Sequence, residues 1–259
     1  MIYEQAQKDI IKILRGMTGK WSIYPLWRDF LVLAACTISN HVDMAQWQKR
    51  EDMYMKTIEK YDKVEANKFA EMLALVIHGL SGSRKGDFLG ELYMKLEISN
   101  RDVGQFFTPY DVSKMMAQMI GVEEKDGIIT LNEPACGSGG MIIAYADVLH
   151  GKGINYQEKL RVVCNDLDYD VVKMAYIQLS LLGIDAIIMQ GNTITLKTNE
   201  VWYTPMNLIN RANEQVQKEN EQTEKIVEAM NNVIALEKPI EKIPDTVPGQ
   251  MDIFEFLGG

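Results

Sequence analysis

The sequence predicts an α/β protein: a helical N-terminal domain over residues 1–100, a partial doubly wound sheet over 101–205, a long helix over 206–238 and an extended tail over 239–259. Three observations predict it. Apolar residues recur at three- and four-residue spacing through the first hundred positions, and from residue 127 short strand-like runs alternate with longer helix-like ones. A glycine-rich loop, NEPACGSGG at 132–140, joins the first such strand to the first such helix.

In the N-terminal domain, YPLWRDFLVLAACTISN, DMAQWQKREDMYMKTIEKY and DKVEANKFAEMLALVIHGL each read as a helix. In the third, Phe69, Leu73, Val76 and Leu80 form one stripe, suited to helix packing. The breaker SGSRKG separates these from a further amphipathic run, DFLGELYMKLEI. In GQFFTPYDVSKMMAQMI, Thr108 is expected to cap a helix with Pro109 at its first position, where a missing N–H costs nothing. Strands are then expected in GIITLNE, LRVVCND and IDAIIMQGN, with helices MIIAYADVLH and DYDVVKMAYIQLSLLG as crossovers, which makes a parallel sheet. Leu208, Ala212, Val216, Thr223, Ile226, Met230 and Val233 on a polar background suggest one long, largely solvated helix, ended by Pro239, Pro244 and Pro248.

Composition bounds the function. The chain has 259 residues, 47% of them hydrophobic and 24% charged, enough to bury a core. No apolar stretch approaches the roughly 20 residues of a membrane span, and the N-terminus MIYEQAQKDI lacks the pattern of a secretion signal. Cys36, Cys136 and Cys164 are too few and too scattered for a disulfide framework or a zinc site, so a cytoplasmic location is expected. A net charge of -9 argues against wrapping nucleic acid by bulk electrostatics; any contact with DNA is expected to be helped by another molecule.

In an open parallel sheet, ligands bind beyond the carboxyl ends of the strands, and glycine lets the backbone approach them. The loop lacks the lysine of a phosphate-binding Walker loop. It also carries Ile142 where a dinucleotide fingerprint needs glycine. Asp166, at the tip of the next strand with Asp168 close behind, is placed to accept both hydrogen bonds of a ribose diol. Glu133 supplies a second carboxylate suited to an amine-bearing group. A ligand containing a nucleoside fits.

The order GQFFTP, NEPACGSGG, CNDLD, GNTI resembles the methylation subunit of type I restriction-modification systems and related adenine-specific DNA methyltransferases that use S-adenosylmethionine. The likeness covers roughly residues 60–195. It implies a Rossmann-like methyltransferase sheet preceded by a helical domain, with S-adenosylmethionine as cofactor. By that resemblance Phe107, Thr108 and Pro109 border the methionine part of the cofactor. Glu133, replacing the usual aspartate, lies near its amino group, and Ala135, Cys136, Gly137, Ser138 and Gly139 approach it with backbone. Asp166 holds the ribose hydroxyls, and Asn192 stands where the family usually has an aspartate facing the adenine amine.

Methylating adenine in duplex DNA requires flipping the base into a pocket. The family does so with an N/D-P-P-Y/F tetrapeptide, which does not occur here; the nearest segment, WYTPM at 202–206, has one proline and no Asn-Pro before it. No catalytic residue is therefore assigned. A complementing methyltransferase or specificity subunit is the expected partner, with DNA reached directly or through it. In the tail, Gln250, Met251, Asp252, Ile253 and Phe254 resemble the peptide that binds the bacterial sliding clamp. Two readings stay open: a methyltransferase active with a partner, and a non-catalytic protein that recruits the clamp at replication or restriction complexes.

Overall fold

The computed structural model describes residues 2–82, 84–96, 107–123 and 127–236, with the side chains of 228–236 left aside. Its sheet has four strands: β1 (Ile129–Glu133), β2 (Leu160–Asp166), β3 (Asp185–Asn192) and β4 (Lys197–Tyr203), in the order β1-β2-β3-β4. The first three are parallel, in a register that sets Leu131 beside Val162 and Val162 beside Ala186. The crossovers are α7 (Gly140–Gly151), which is followed by the single turn α8 (Tyr156–Lys159), and α9 (Tyr169–Leu181). Two successive parallel crossovers running the same way across a sheet lay their helices on one face. On that face Ile129, Val162, Cys164, Ala186, Ile188 and Trp202 are all buried. The opposite face carries Thr130 and Val163, the latter 39% exposed.

The helical N-terminal part contains α1 (Ile2–Met17), α2 (Ile23–Asn40), α3 (Trp47–Ile58), α4 (Lys63–Leu80) and α5 (Phe88–Lys95). α4 opens with a capping box: the Asp62 carboxylate accepts from Val64 and Glu65, and the Glu65 side chain accepts from the Asp62 amide. Its Phe69, Met72, Val76 and Leu80 are buried, with Leu73 partly so, which is the stripe expected from the sequence. α1 packs on α4, and α2 packs on both α3 and α9, so α9 joins the helices to the sheet. Trp27, Phe30 and Leu31 of α2 have no exposed surface, and each such side chain contributes about 1.5–3 kcal/mol by leaving water.

Three local differences from the sequence reading have physical causes. The helix after the Phe-Thr-Pro segment, α6 (Tyr110–Ile120), is preceded by Pro109 at ψ 138°, an extended conformation. Pro109 is therefore the flanking residue rather than the first helical one, and no side chain caps this end, so Thr108 is not the cap. β4 was not foreseen, because KTNEVWY is half polar; it returns antiparallel to β3 and leaves Lys197, Thr198 and Asn199 exposed. Trp202 and Thr204, in the segment nearest to a base-handling motif, are structural. The Trp202 ring stacks on Tyr176 at 4.8 Å beneath the Arg50 guanidinium, and the Thr204 hydroxyl exchanges hydrogen bonds with the Ala186 amide and the Ile184 carbonyl.

The last helix, α10 (Pro205–Leu236), starts within the body of the protein, where Asn207 and Asn210 donate to the Asp185 carboxylate, both at 2.6 Å. The chain divides into two units after Ala212. In the second, Val216, Ile226 and Val227 are at least half exposed on a polar helix. No described helix is long and apolar enough to cross a membrane. The proline-marked tail, with Gln250 to Phe254, lies outside the described residues.

Candidate functional site

The carboxyl ends of β1, β2 and β3 come together, and their loops are tied to one another. Gly137 and Gly139 adopt φ of +56° and +91°, a region that L side chains avoid, and this lets the loop turn tightly onto the start of α7. The Gly137 amide donates to Asp166 Oδ2 at 2.9 Å, and the Asp168 amide donates to Asp166 Oδ1 at 3.1 Å. Thus the carboxylate predicted to face a ribose also fixes the glycine turn. The Cys136 amide donates to the Asn165 carbonyl at 2.9 Å. The Asn165 side chain reaches the Gly191 carbonyl at 2.9 Å and the Thr193 hydroxyl at 2.6 Å, and that hydroxyl donates to the Pro134 carbonyl at 2.7 Å. Neither Asn165 nor Thr193 was singled out in the sequence, although both sit in quoted motifs.

Other expected residues fall around this centre. Glu133 ends β1 and accepts from the Ala135 amide at 3.2 Å. Phe107 lies against the loop: a Cβ on Gly137 would be 3.2 Å from its ring, and the Tyr93 ring packs edge-to-face with it at 5.5 Å. Thr108 and Pro109 are exposed and border a cleft of about 380 Å³ with Asp87, Glu91, Met94 and Lys95. Asn192 ends β3, but its side-chain oxygen accepts from Ile194 and Thr195 at 2.9 and 3.0 Å, so the amide is folded into its own turn. Leu167 is 65% and Ile194 94% exposed, which puts two apolar side chains in the loops that follow β2 and β3.

Beneath the loop, residues far apart in the chain meet in a buried polar network. Asp87, at the start of α5, is buried and accepts from the Gly90 amide, from Gln178 Nε2 and from the Ser138 hydroxyl. Gln178 also donates to the Ser138 carbonyl at 2.7 Å and accepts from the Leu89 amide at 2.9 Å. Burial pushes the Asp87 carboxyl above the usual range, against the pull of these three donors. Asp87 is recognisable in sequence as a helix cap, but its two distant partners are not. Cys136 and Cys164 are also buried here; the hydrogen bond between their thiols, and then burial, push Cys136 well above an ordinary thiol.

Ser138 therefore points inward, while Asp166, Glu133 and the loop backbone gather at the strand ends, with the Phe107 ring against Gly137. The N-6 DNA Methylase family model matches residues 84–234 of the chain. A curated relative, the type I restriction enzyme MpnII methylase subunit of Mycoplasma pneumoniae, is 26% identical over 122 residues, which is 45% of this chain and 22% of the relative. Two solved structures are similar. One, from Listeria monocytogenes, bears the name of a class I S-adenosylmethionine-dependent methyltransferase; it is 12% identical, with a TM-score of 0.42, over 73% of this chain and 54% of that one. The other, a type I restriction-modification methyltransferase subunit from Streptococcus thermophilus, is 15% identical, with a TM-score of 0.40, over 77% of this chain and 60% of that one. The chain thus spans less than two thirds of each.

Proposed function

The chain belongs to the N-6 DNA Methylase family, and from that premise we propose that it binds S-adenosylmethionine at the ends of β1 to β3 and contributes the cofactor half of a DNA adenine methyltransferase. One observation carries this reading: Asp166 and the Gly137 amide meet at 2.9 Å where three strand-end loops converge. The residues present fit the cofactor. The loop runs without side chains at Gly137 and Gly139, and a Cβ at the first would crowd Phe107. Each Asp166 oxygen accepts one backbone N–H and keeps a lone pair for a ribose hydroxyl. Glu133 offers its carboxylate to an ammonium group.

Leu167 and Ile194 would flank the adenine ring. Asn192, turned into its own loop, would shape that rim rather than bond the adenine amine. Bound S-adenosylmethionine would supply an electrophilic methyl group. What the chain's own residues do is hold and orient it, because the sequence has no tetrapeptide for gripping a flipped base. Methyl transfer then depends on a partner, a complementing methyltransferase or specificity subunit.

Calorimetry with S-adenosylmethionine on the full chain and on Asp166→Ala tests the reading. Uptake by the first and at least about tenfold weaker uptake by the second are expected, since Asp166→Ala loses both charge-assisted hydrogen bonds to the ribose. Absence of uptake by the unaltered chain would discard it. A second reading, recruitment of the bacterial sliding clamp, rests on the peptide Gln250 to Phe254.

A further inference from the structure

Between α2, α3, α9 and β4 lies a cleft of about 490 Å³, a volume in the range of small-molecule sites. Its rim carries the exposed side chains of Tyr24, Arg28, Lys60 and Tyr169. Its floor is polar: Asp29, Lys173 and Glu200 line it, and all three are buried.

A buried charge is ordinarily paired, and each acid here has a cation of its own. Asp29 holds Lys60 at 3.0 Å and accepts from the Tyr61 hydroxyl at 2.7 Å. Glu200 holds Arg50, and Lys49 at 3.4 Å; Asp170 of α9 has Arg28 at 3.6 Å. Asp168, at the start of α9, is spent on capping that helix. Lys173 is the exception. It is 5% exposed, its ammonium donates to the Tyr169 carbonyl at 2.9 Å, and among the described residues no carboxylate lies within ion-pair distance of it. An ammonium carries three N–H groups, so two are left without an acceptor. Burial pushes Lys173 below its ordinary 10.5, with Glu200 and Asp170 pulling the other way. Counted with their ion-pair partners, the lining residues bring five cations, Arg28, Lys49, Arg50, Lys60 and Lys173, against three acids, Asp29, Asp170 and Glu200. In a chain of net charge -9, that local excess favours an anion.

We propose that this cleft binds a small phosphate ester, whose phosphate accepts the two spare N–H groups of Lys173 and meets Arg28 at the rim, and whose organic part lies against Tyr24 and Tyr169. A phosphate suits the floor and the rim together, because its three terminal oxygens can accept from an ammonium and from a forked guanidinium at once. At 3.6 Å from Asp170, Arg28 makes no hydrogen bond with it and keeps its donors for the ligand. The exposed tyrosines offer rings to an organic group beside a charged one. The proposal does not rest on the cofactor reading, which concerns the loops after β1 to β3.

Calorimetric titration of the full chain with inorganic phosphate and with phenyl phosphate, together with carbon-13 NMR of the lysine Cε atoms, tests the site. Phenyl phosphate should bind at least about tenfold more tightly than inorganic phosphate, since only the ester reaches the tyrosines. It should also raise the pH at which Lys173 titrates, because a seated anion favours the charged ammonium. Lys173→Met, which keeps the side-chain length without the charge, should weaken uptake of phenyl phosphate by about tenfold or more. Arg28→Gln, at the exposed rim, should weaken it severalfold, and serves as the second variant if Lys173→Met does not fold. Both variants should take up S-adenosylmethionine as the unaltered chain does. No uptake of phenyl phosphate, an unmoved Lys173 titration, or undiminished uptake by the folded variants would overturn the proposal. Equal affinity for the two probes would put inorganic phosphate there and overturn the ester. Uptake of phenyl phosphate by a chain that takes up no S-adenosylmethionine would support this site and count only against the cofactor.

Discussion

The hydroxyl of Ser138, inside the glycine loop, is held by the carboxylate of Asp87, fifty-one residues earlier at the start of α5. The glycine loop is thereby pinned to the helical half of the protein. Asp87→Ala would leave the Gly90 amide, Gln178 Nε2 and the Ser138 hydroxyl without their acceptor in a buried place. A loss of about 2–4 kcal/mol in urea unfolding is expected, against about 1 kcal/mol for Ser138→Ala.

The Arg50 and Glu200 pair makes a second prediction. Arg50 has no exposed surface and Glu200 is 7% exposed; the guanidinium also donates to the Val201 carbonyl at 2.9 Å. Removing the acid as Glu200→Ala strands a buried cation, and a cost of about 3–5 kcal/mol is expected in the same assay.

These two acids titrate in opposite senses. Burial acts to raise Glu200, but Arg50, Lys173 and Lys49 outweigh it and hold its carboxyl below the ordinary 4.5. Its stabilisation is present above pH 4.5 and lost as pH falls through the lowered value. Asp87, raised by burial above its ordinary 3.8, stabilises fully only below pH 3.8, and that contribution fades as pH rises through the raised value. Stability against pH, followed by circular dichroism, should fall less steeply on the acid side in Glu200→Gln than in the unaltered chain.

Gly137→Ala tests the loop geometry. A φ of +56° costs an L residue about 1–2 kcal/mol, and the new Cβ would lie 3.2 Å from the Phe107 ring. The melting temperature should fall by a few degrees, about what such a cost produces, and calorimetric uptake of S-adenosylmethionine should be lost.

The cysteines should be silent. Burial pushes Cys36 up to about 12, and Cys136 is raised by its contact with Cys164 and by burial. Iodoacetamide at pH 8 should label none of them in the native protein, and all three after denaturation, as read by mass spectrometry.

For the tail, deleting residues 250–259 should abolish recovery of the chain on immobilised bacterial sliding clamp. Unchanged recovery would end that reading.

Much of this architecture was legible because period and punctuation report on backbone alone. The α/β class, the parallel strands at β1 to β3 and the long helix α10 follow from them, as does the placing of Asp166 beside the glycine turn. β4 was not legible: a tight return at Asn192 lays it beside β3 and Arg50 of α3 bonds its Val201 carbonyl, neither of which is announced by a strand-like sequence. Nor was the inward turn of Ser138, since its partners Asp87 and Gln178 are distant in the chain and only tertiary packing brings them together. Asn192 was placed correctly at a strand end, yet its amide is spent on Ile194 and Thr195, a local competition that position alone does not reveal.

The Val201 carbonyl on β4 accepts from both Gln46 and Arg50. At that point the β4 margin of the sheet is stoppered by side chains: a further strand laid along it would first have to strip both donors from this carbonyl, so the margin is a poor template for another extended chain.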